Sequence, residues 1–221
     1  MTKVTIVEEI MSANDRLAQQ NRALLDAHSV FAINVMASPG AGKTSLILRT
    51  ITAVAPYLTL GVIEGDTAPV TIDADKVLAA GMPAVQINTG GSCHLEASMM
   101  AKALPQLPLA DLDLLVVENV GNLICPAGFK LGAHANIVVA SVPEGDDKPY
   151  KYPGIYRGID ALILNKTDLL PYVDFNIPYF RQGIELLNSE AAFFPLSCKT
   201  GEGFAAWIEW LLAKVGVMRD A

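Results

Sequence analysis

Seven short apolar runs punctuate the chain: Val30 to Met36, Leu58 to Ile63, Ala84 to Ile87, Leu114 to Val117, Ile137 to Val142, Ala161 to Leu164 and Ala192 to Leu196. Runs of this kind, scarcely broken by polar residues, are the mark of strands buried on both faces. Between them, Thr44 to Val54, Val70 to Ala80, Cys93 to Leu104, Ile177 to Leu187 and Phe204 to Val215 carry apolar residues at helical spacing. The alternation predicts an α/β fold, a doubly wound and mostly parallel sheet of about seven strands. Ahead of the first strand, Ile10/Leu17/Leu24 and Met11/Ala18/Leu25 form two neighbouring columns on one face of a helix from about Val4 to Leu25. Such a face lies on the sheet or docks a partner, and the first is the simpler reading. The predicted organisation is an N-terminal helical extension over residues 1–28 and one domain over 29–221.

Composition agrees with the pattern. Of 221 residues 52% are hydrophobic and 18% charged, as a parallel sheet covered on both faces demands. A chain this long buries roughly 70% of its extended surface, so a metal is not needed merely to hold it together. No apolar run approaches the ~18 residues of a bilayer span. The start, Met1 to Val4 followed by Glu8 and Glu9, has no basic and apolar leader, which predicts a cytoplasmic protein. Sixteen basic against 23 acidic residues, 16 − 23 = −7, leave no basic footprint for nucleic acid. Three cysteines at unpaired spacing read as free thiols.

Chemistry first enters after the first strand, in Ala37-Ser38-Pro39-Gly40-Ala41-Gly42-Lys43-Thr44-Ser45. This is a phosphate-binding loop in its strand-loop-helix context. Gly40 and Gly42 let backbone N–H groups converge on phosphate oxygens. Lys43 adds charge at the β- and γ-phosphates, Thr44 offers a hydroxyl to Mg²⁺, and Ala41 and Ser45 complete the stretch. Ala37 stands where such loops begin with glycine. The fourth strand ends in Glu118-Asn119-Val120-Gly121, which places Glu118 to hold Mg²⁺ and the Gly121 N–H to meet a γ-phosphate. Asp66, in Glu64-Gly65-Asp66, is expected to bind Mg²⁺ or orient the attacking water. Asn165-Lys166-Thr167-Asp168 is a guanine-reading pattern, because a carboxylate at Asp168 accepts from guanine N1–H and N2–H₂ and finds no such donors on adenine. Ser197-Cys198-Lys199 resembles the loop that backs the base, with Cys198 a small packing group. These elements predict GTP or GDP as ligand. Lys43, Asp66, Glu118 and Gly121 form the catalytic set. With Asn122 following Gly121 in place of a water-positioning Gln, intrinsic turnover should be slow. A lysine or arginine from a partner or a second subunit is expected to complete the site, with Lys148 the first candidate and a solvated charged loop its plainer reading.

A second chemistry is carried by Cys93-His94 and by Cys125. Ser92 reads as an N-cap and Cys93 as a first-turn residue whose thiol pKa the helix dipole lowers. Two thiolates and an imidazole select Ni²⁺, Zn²⁺ or copper. One chain offers at most three such ligands, so a filled site suggests a twofold dimer. His28 and His134 read as surface or capping residues.

Taken together, the phosphate loop, Glu64-Gly65-Asp66, Gly91-Ser92-Cys93-His94-Leu95, Glu118 to Leu123, Asp147-Lys148-Pro149, Lys151-Tyr152-Pro153 and Asn165-Lys166-Thr167-Asp168 resemble the HypB family of nickel-insertion GTPases in [NiFe]-hydrogenase maturation. The resemblance spans roughly residues 30 to 212. It implies a P-loop NTPase fold, nucleotide-dependent homodimerisation and metal (nickel or zinc) at Cys93, His94 and Cys125 near the dimer interface. It also implies work with HypA in delivering nickel to the hydrogenase large subunit. The N-terminal cysteine motif and His-rich stretch of some members are not present, so nickel storage is not expected. Rival readings are the nickel chaperone GTPase of urease assembly, a small-molecule phosphotransferase on the same loop, and a nucleotide-gated interaction module with negligible turnover.

Overall fold

Branched and long aliphatic side chains fill the strands of the computed structural model, which describes residues 6–67, 77 and 81–219. The strands are β1 (Phe31–Ala37), β2 (Leu60–Asp66), β3 (Ala84–Asn88), β4 (Leu114–Glu118), β5 (Ala135–Ser141), β6 (Ala161–Asn165) and β7 (Ala192–Pro195). They form one sheet in the order β3-β2-β4-β1-β5-β6-β7, parallel at every pairing. Each expected strand is present with its ends within three residues of its apolar run. The edge strands β3 and β7 are only partly buried, because each has a neighbour on one side alone; the expectation of burial on both faces holds for the five inner strands.

Helices α1 (Ile6–Ala27), α2 (Lys43–Val54), α3 (Ala97–Ala103), α4 (Lys148–Lys151), α5 (Pro153–Tyr156), α6 (Ile177–Glu185) and α7 (Phe204–Arg219) cover the sheet. Leu46, Ile47, Ile51 and Val54 of α2 and Trp207, Leu211 and Val215 of α7 share one core with inward residues of β1, β2, β4, β5 and β6. The buried Trp207 indole is satisfied by Thr50, to which its Nε1 donates at 3.0 Å. On the other face, Leu25 of α1 and Met100 of α3 pack with Ala32, Ile63, Leu115 and Val117. Among the described residues no helix is long and apolar enough to cross a membrane. The predicted helix Val70 to Ala80 lies outside the described residues apart from Val77.

Two expectations are corrected. The helix placed from Cys93 begins at Ala97, with Glu96 at its N-cap, so Cys93 and His94 stand on the preceding loop. Apolar spacing from Cys93 onward continues the buried side of that loop, with Leu95 fully buried, and mimics a helical period. His134 is no surface residue: its ring is buried, Nδ1 accepts the Ala32 N–H at 2.9 Å and Nε2 lies 2.8 Å from Asp26.

The crossovers position the site. From β1 the chain crosses to β2 on one side, and from β4 it crosses to β5 on the other. Adjacent strands whose connections diverge leave a crevice beyond their carboxyl ends.

Candidate nucleotide cleft and metal centre

That crevice is a cleft of about 730 Å³ lined by Pro39, Gly40, Gly42, Lys43, Thr44, Ser45, Glu64, Asp66, Cys93, Glu118, Gly121 and Lys166, among others. A second cleft of about 380 Å³, lined by Gly42, Ser45, Asn165, Lys166, Asp168, Cys198 and Lys199, shares Gly42, Ser45 and Lys166 with the first. The two clefts adjoin across the loop between β1 and α2.

Local geometry explains the loop between β1 and α2. Gly42 holds φ +104 at the N-cap of α2, a left-handed conformation that L side chains rarely adopt. A Cβ there would stand 2.4 Å from Asn165 Nδ2. The loop is sewn to the wall of the second cleft. Asn165 Nδ2 donates to the Ala41 carbonyl at 3.0 Å, and Lys166 Nζ donates to the Gly40 carbonyl at 2.7 Å. Asn165 Oδ1 accepts the N–H groups of Lys166 and Cys198. Ser197 Oγ donates to Asp168 Oδ1 at 2.6 Å and accepts the N–H groups of Lys199 and Thr200, which holds the Asp168 carboxylate on the wall of the second cleft. Burial pushes the Cys198 thiol up to about 11; it stays protonated and packs against the core, as expected.

Thr44 Oγ1 donates to Glu118 Oε1 at 3.0 Å. Hydroxyl and carboxylate oxygens are the hard donors Mg²⁺ takes, and two of them in the first cleft suit that ion. Glu64 strengthens the fit. It pairs in register with Glu118 on the adjacent strand, and the two residues are 5% and 7% exposed, which sets two buried carboxyl groups side by side as hard oxygen donors. Asp66 also lines the cleft, nearer solvent, with Oδ1 accepting the Thr67 N–H. The sequence reading chose Asp66 and passed over Glu64. Period-2 alternation, which sends both to the same face of β2, was the signal that would have included it. Lys148 is not among the lining residues; its ammonium sits over the Tyr152 ring at 5.5 Å.

The three soft ligands do meet. Cys93 Sγ, His94 and Cys125 present ligand atoms within 4.8 Å of one another. The sulfurs are free thiols 2.8 Å apart, and His94 Nδ1 lies 3.8 Å from Cys93 Sγ. Cys93 is raised, not lowered, from the ordinary thiol value, first because its hydrogen bond with Cys125 holds the proton. Away from any helix terminus, the dipole argument made from sequence does not apply. His94 is lowered by burial under the Phe129 ring, whose centroid is 4.0 Å away, so the imidazole is neutral with a free lone pair at neutral pH. Cys125 opens a 3-10 turn, Cys125–Gly128. The segment from Gly121 to Cys125 is tied to Cys93 by Asn122, whose Nδ2 donates to the Cys93 carbonyl at 3.4 Å.

A parallel sheet with a phosphate loop at its switch point and a second cleft beside it defines a P-loop nucleotide-binding protein, here with a Cys₂His cluster on the cleft wall. Residues 31–195 match the family model described as "CobW/HypB/UreG, nucleotide-binding domain". The chain is 44% identical over 208 residues to the hydrogenase maturation factor HypB of Azotobacter chroococcum, covering 94% of this chain and 68% of that one. Two solved structures superpose over 92% of it. HypB from Archaeoglobus fulgidus has a TM-score of 0.86 at 38% identity and 99% coverage of its own chain. HypB from Helicobacter pylori, in complex with nickel, has a TM-score of 0.87 at 37% identity and 95% coverage. The chain belongs to the HypB family of hydrogenase maturation factors.

Proposed function

We propose that the chain is a GTP-hydrolysing metallochaperone that holds nickel, or zinc, at Cys93, His94 and Cys125 and delivers nickel in [NiFe]-hydrogenase maturation. The observation that carries this reading is that Cys93 belongs to both centres: it is a member of the metal cluster and a wall of the phosphate end of the cleft. A nickel-complexed relative of the same fold supports the cargo. The assignment of residues 1–28 as helical extension and 29–221 as GTPase domain belongs to the same proposal, as does work in the cytoplasm with a HypA-like nickel chaperone upstream of the hydrogenase large subunit.

In this reading Gly40, Ala41, Gly42, Lys43, Thr44 and Ser45 hold the phosphates, and Asn165, Lys166, Asp168, Ser197, Cys198 and Lys199 hold guanine. Thr44 and Glu118, with Asp66 and Glu64 nearby, would hold Mg²⁺, which when bound would neutralise phosphate charge. Gly121 donates its N–H to the γ-phosphate and Asp66 orients water for in-line attack, releasing GDP and inorganic phosphate. The side chain after Gly121 is the amide of Asn122, committed to Cys93 and to the Ile124 N–H. It is therefore not available to position water, and intrinsic turnover is slow.

The cluster offers one metal three ligands, and Ile124, beside Cys125, is 67% exposed. An apolar side chain at the rim of an incomplete ligand set favours a homodimer that shares the ion, with Lys148 reaching the partner's cleft. Loss of the γ-phosphate releases Gly121 and, through Asn122 and the segment to Cys125, changes the spacing of the thiols.

Nickel titration into the GDP form and into the form with a non-hydrolysable GTP analogue tests this. The two forms should differ in affinity or stoichiometry, and Cys93→Ala or Cys125→Ala should abolish tight nickel while GTP affinity stays within about twofold. Identical nickel binding in both nucleotide forms sinks the coupling; full nickel stoichiometry in either cysteine variant sinks the ligand assignment.

A further inference from the structure

Helix α1 presents Met11, Asn14, Ala18, Asn21 and Leu25 inward at alternating spacings of three and four. Two of these five positions are asparagines, only 7% and 3% exposed. A buried amide is tolerated where its hydrogen bonds are made, and the partners here are specific. Asn14 Oδ1 accepts the Ala97 N–H at 2.9 Å, and its Nδ2 donates to the Lys130 carbonyl at 2.9 Å. Asn21 Nδ2 donates to the Ala97 carbonyl at 2.9 Å and to the Leu131 carbonyl at 3.0 Å. Ala97 follows the Cys93-His94 loop, and Lys130 and Leu131 follow the Cys125 turn. Each asparagine therefore bridges the two segments that carry the metal ligands.

The fit of α1 against the second segment is close. Gly132, at φ +94, has no room for a Cβ, which would stand 2.5 Å from the Ala18 carbonyl oxygen. Arg22 grips the Gly132 and Ala133 carbonyls, but those lie on one segment only. From the opposite side, Asn119 Oδ1 accepts the Leu95 N–H at 3.1 Å. The backbone following Cys93 is thus held between the nucleotide-side strand β4 and the helix.

We infer that Asn14 and Asn21 are positioning residues of the metal cluster: they clamp the Cys93–Ala97 and Cys125–Leu131 segments together, so that these two bridging amides, more than the general seating of α1, set metal affinity. The inference rests on the reading of Cys93, His94 and Cys125 as metal ligands.

The test uses the full chain and nickel sulfate titrated against a competing chelator, with thiolate-to-nickel charge-transfer absorption as readout and GTP affinity measured in parallel. Asn14→Ala and Asn21→Ala should each weaken nickel at least tenfold and alter the charge-transfer band, with GTP affinity within about twofold of the parent. Arg22→Ala, which loosens α1 from one segment without separating the two, should keep nickel within threefold. If an alanine variant does not fold, Asn14→Asp replaces it, since it keeps the acceptor for Ala97 and loses the donor to Lys130, and the same loss is expected. Folded asparagine variants that bind nickel like the parent, or an Arg22→Ala loss as large as theirs, overturn the clamp. Parent-like nickel binding by Cys125→Ala would instead overturn the cluster reading, whatever the asparagine variants do.

Discussion

The nucleotide cleft and the metal centre share a wall but are built in opposite ways. Each part of the cleft is a contiguous stretch at the end of a strand, and the stretches are sewn together by their own side chains, Asn165 to Ala41, Lys166 to Gly40 and Ser197 to Asp168. The metal centre takes its ligands from two loops and depends on a helix far away in sequence to hold those loops together. A site of the first kind travels as a set of motifs, whereas one of the second kind has ligands that mean little singly. Damage to the cleft should therefore be local to nucleotide binding, and damage to α1 should fall on metal.

The largest separation is expected from Asp168→Asn. The asparagine keeps a carbonyl to accept from Ser197, so the loop stays in place, but it turns an amino group toward guanine's own donors. Charge-assisted hydrogen bonds contribute roughly 1.5–3 kcal/mol each, so GTP affinity should fall by about 10²-fold. A xanthine nucleotide, which has a carbonyl where guanine has its amino group, should bind better than GTP. Nickel affinity of the nucleotide-free chain should not change. Equilibrium titration with both nucleotides checks it, and a loss of GTP affinity below threefold would remove Asp168 from the base site.

How much of this was legible from the sequence follows the same division. All seven strands and the loop at the switch point could be read because the signal is local: a buried run, a glycine pair, a turn with a lysine. Glu64 was passed over because its candidacy comes from lying beside Glu118 in the sheet, a relation that depends on strand order. Cys93 and His94 were read as candidate ligands but placed on a helix, since apolar spacing does not distinguish a buried loop from a first turn. The inward face of α1 was seen as apolar columns containing Met11, Ala18 and Leu25, and Asn14 and Asn21 on the same face drew no reading. Only their backbone partners, at Ala97, Lys130 and Leu131, reveal what the amides do. His134 escaped for the same reason.

A smaller effect, still confined to the cleft, is expected from Gly42→Ala. The added methyl meets Asn165 Nδ2 and occupies a backbone conformation at φ +104, so the Asn165 bond to Ala41 must lengthen or break. Strain of this type costs about 1–3 kcal/mol. GTP and GDP affinities should fall together by about tenfold or more, with the nickel titration unchanged. Equal losses for the two nucleotides are diagnostic, because Gly42 has no part in sensing the γ-phosphate; a loss seen for GTP alone would contradict that division.

The smallest effect probes the metal side through the end of α1. His134 is held neutral, its pKa lowered chiefly by burial and pulled partly back by Asp26, with the Arg22 charge lowering it further. Its unprotonated Nδ1 accepts the Ala32 N–H, which protonation would oppose with a second donor. Because the folded value lies below the ordinary 6.5, the stabilisation is complete above about 6.5 and is lost as pH falls through the lowered folded value. One hydrogen bond of about 1 kcal/mol corresponds to a fall of about 2–4 °C in thermal midpoint for a chain of this size. His134→Gln, which cannot titrate, should remove that share of the acid-side decline in the metal-free protein while leaving GTP affinity at neutral pH intact. If the variant and the parent decline in parallel between pH 7.5 and 5, the imidazole does not contribute to holding α1 and the acid sensitivity lies elsewhere.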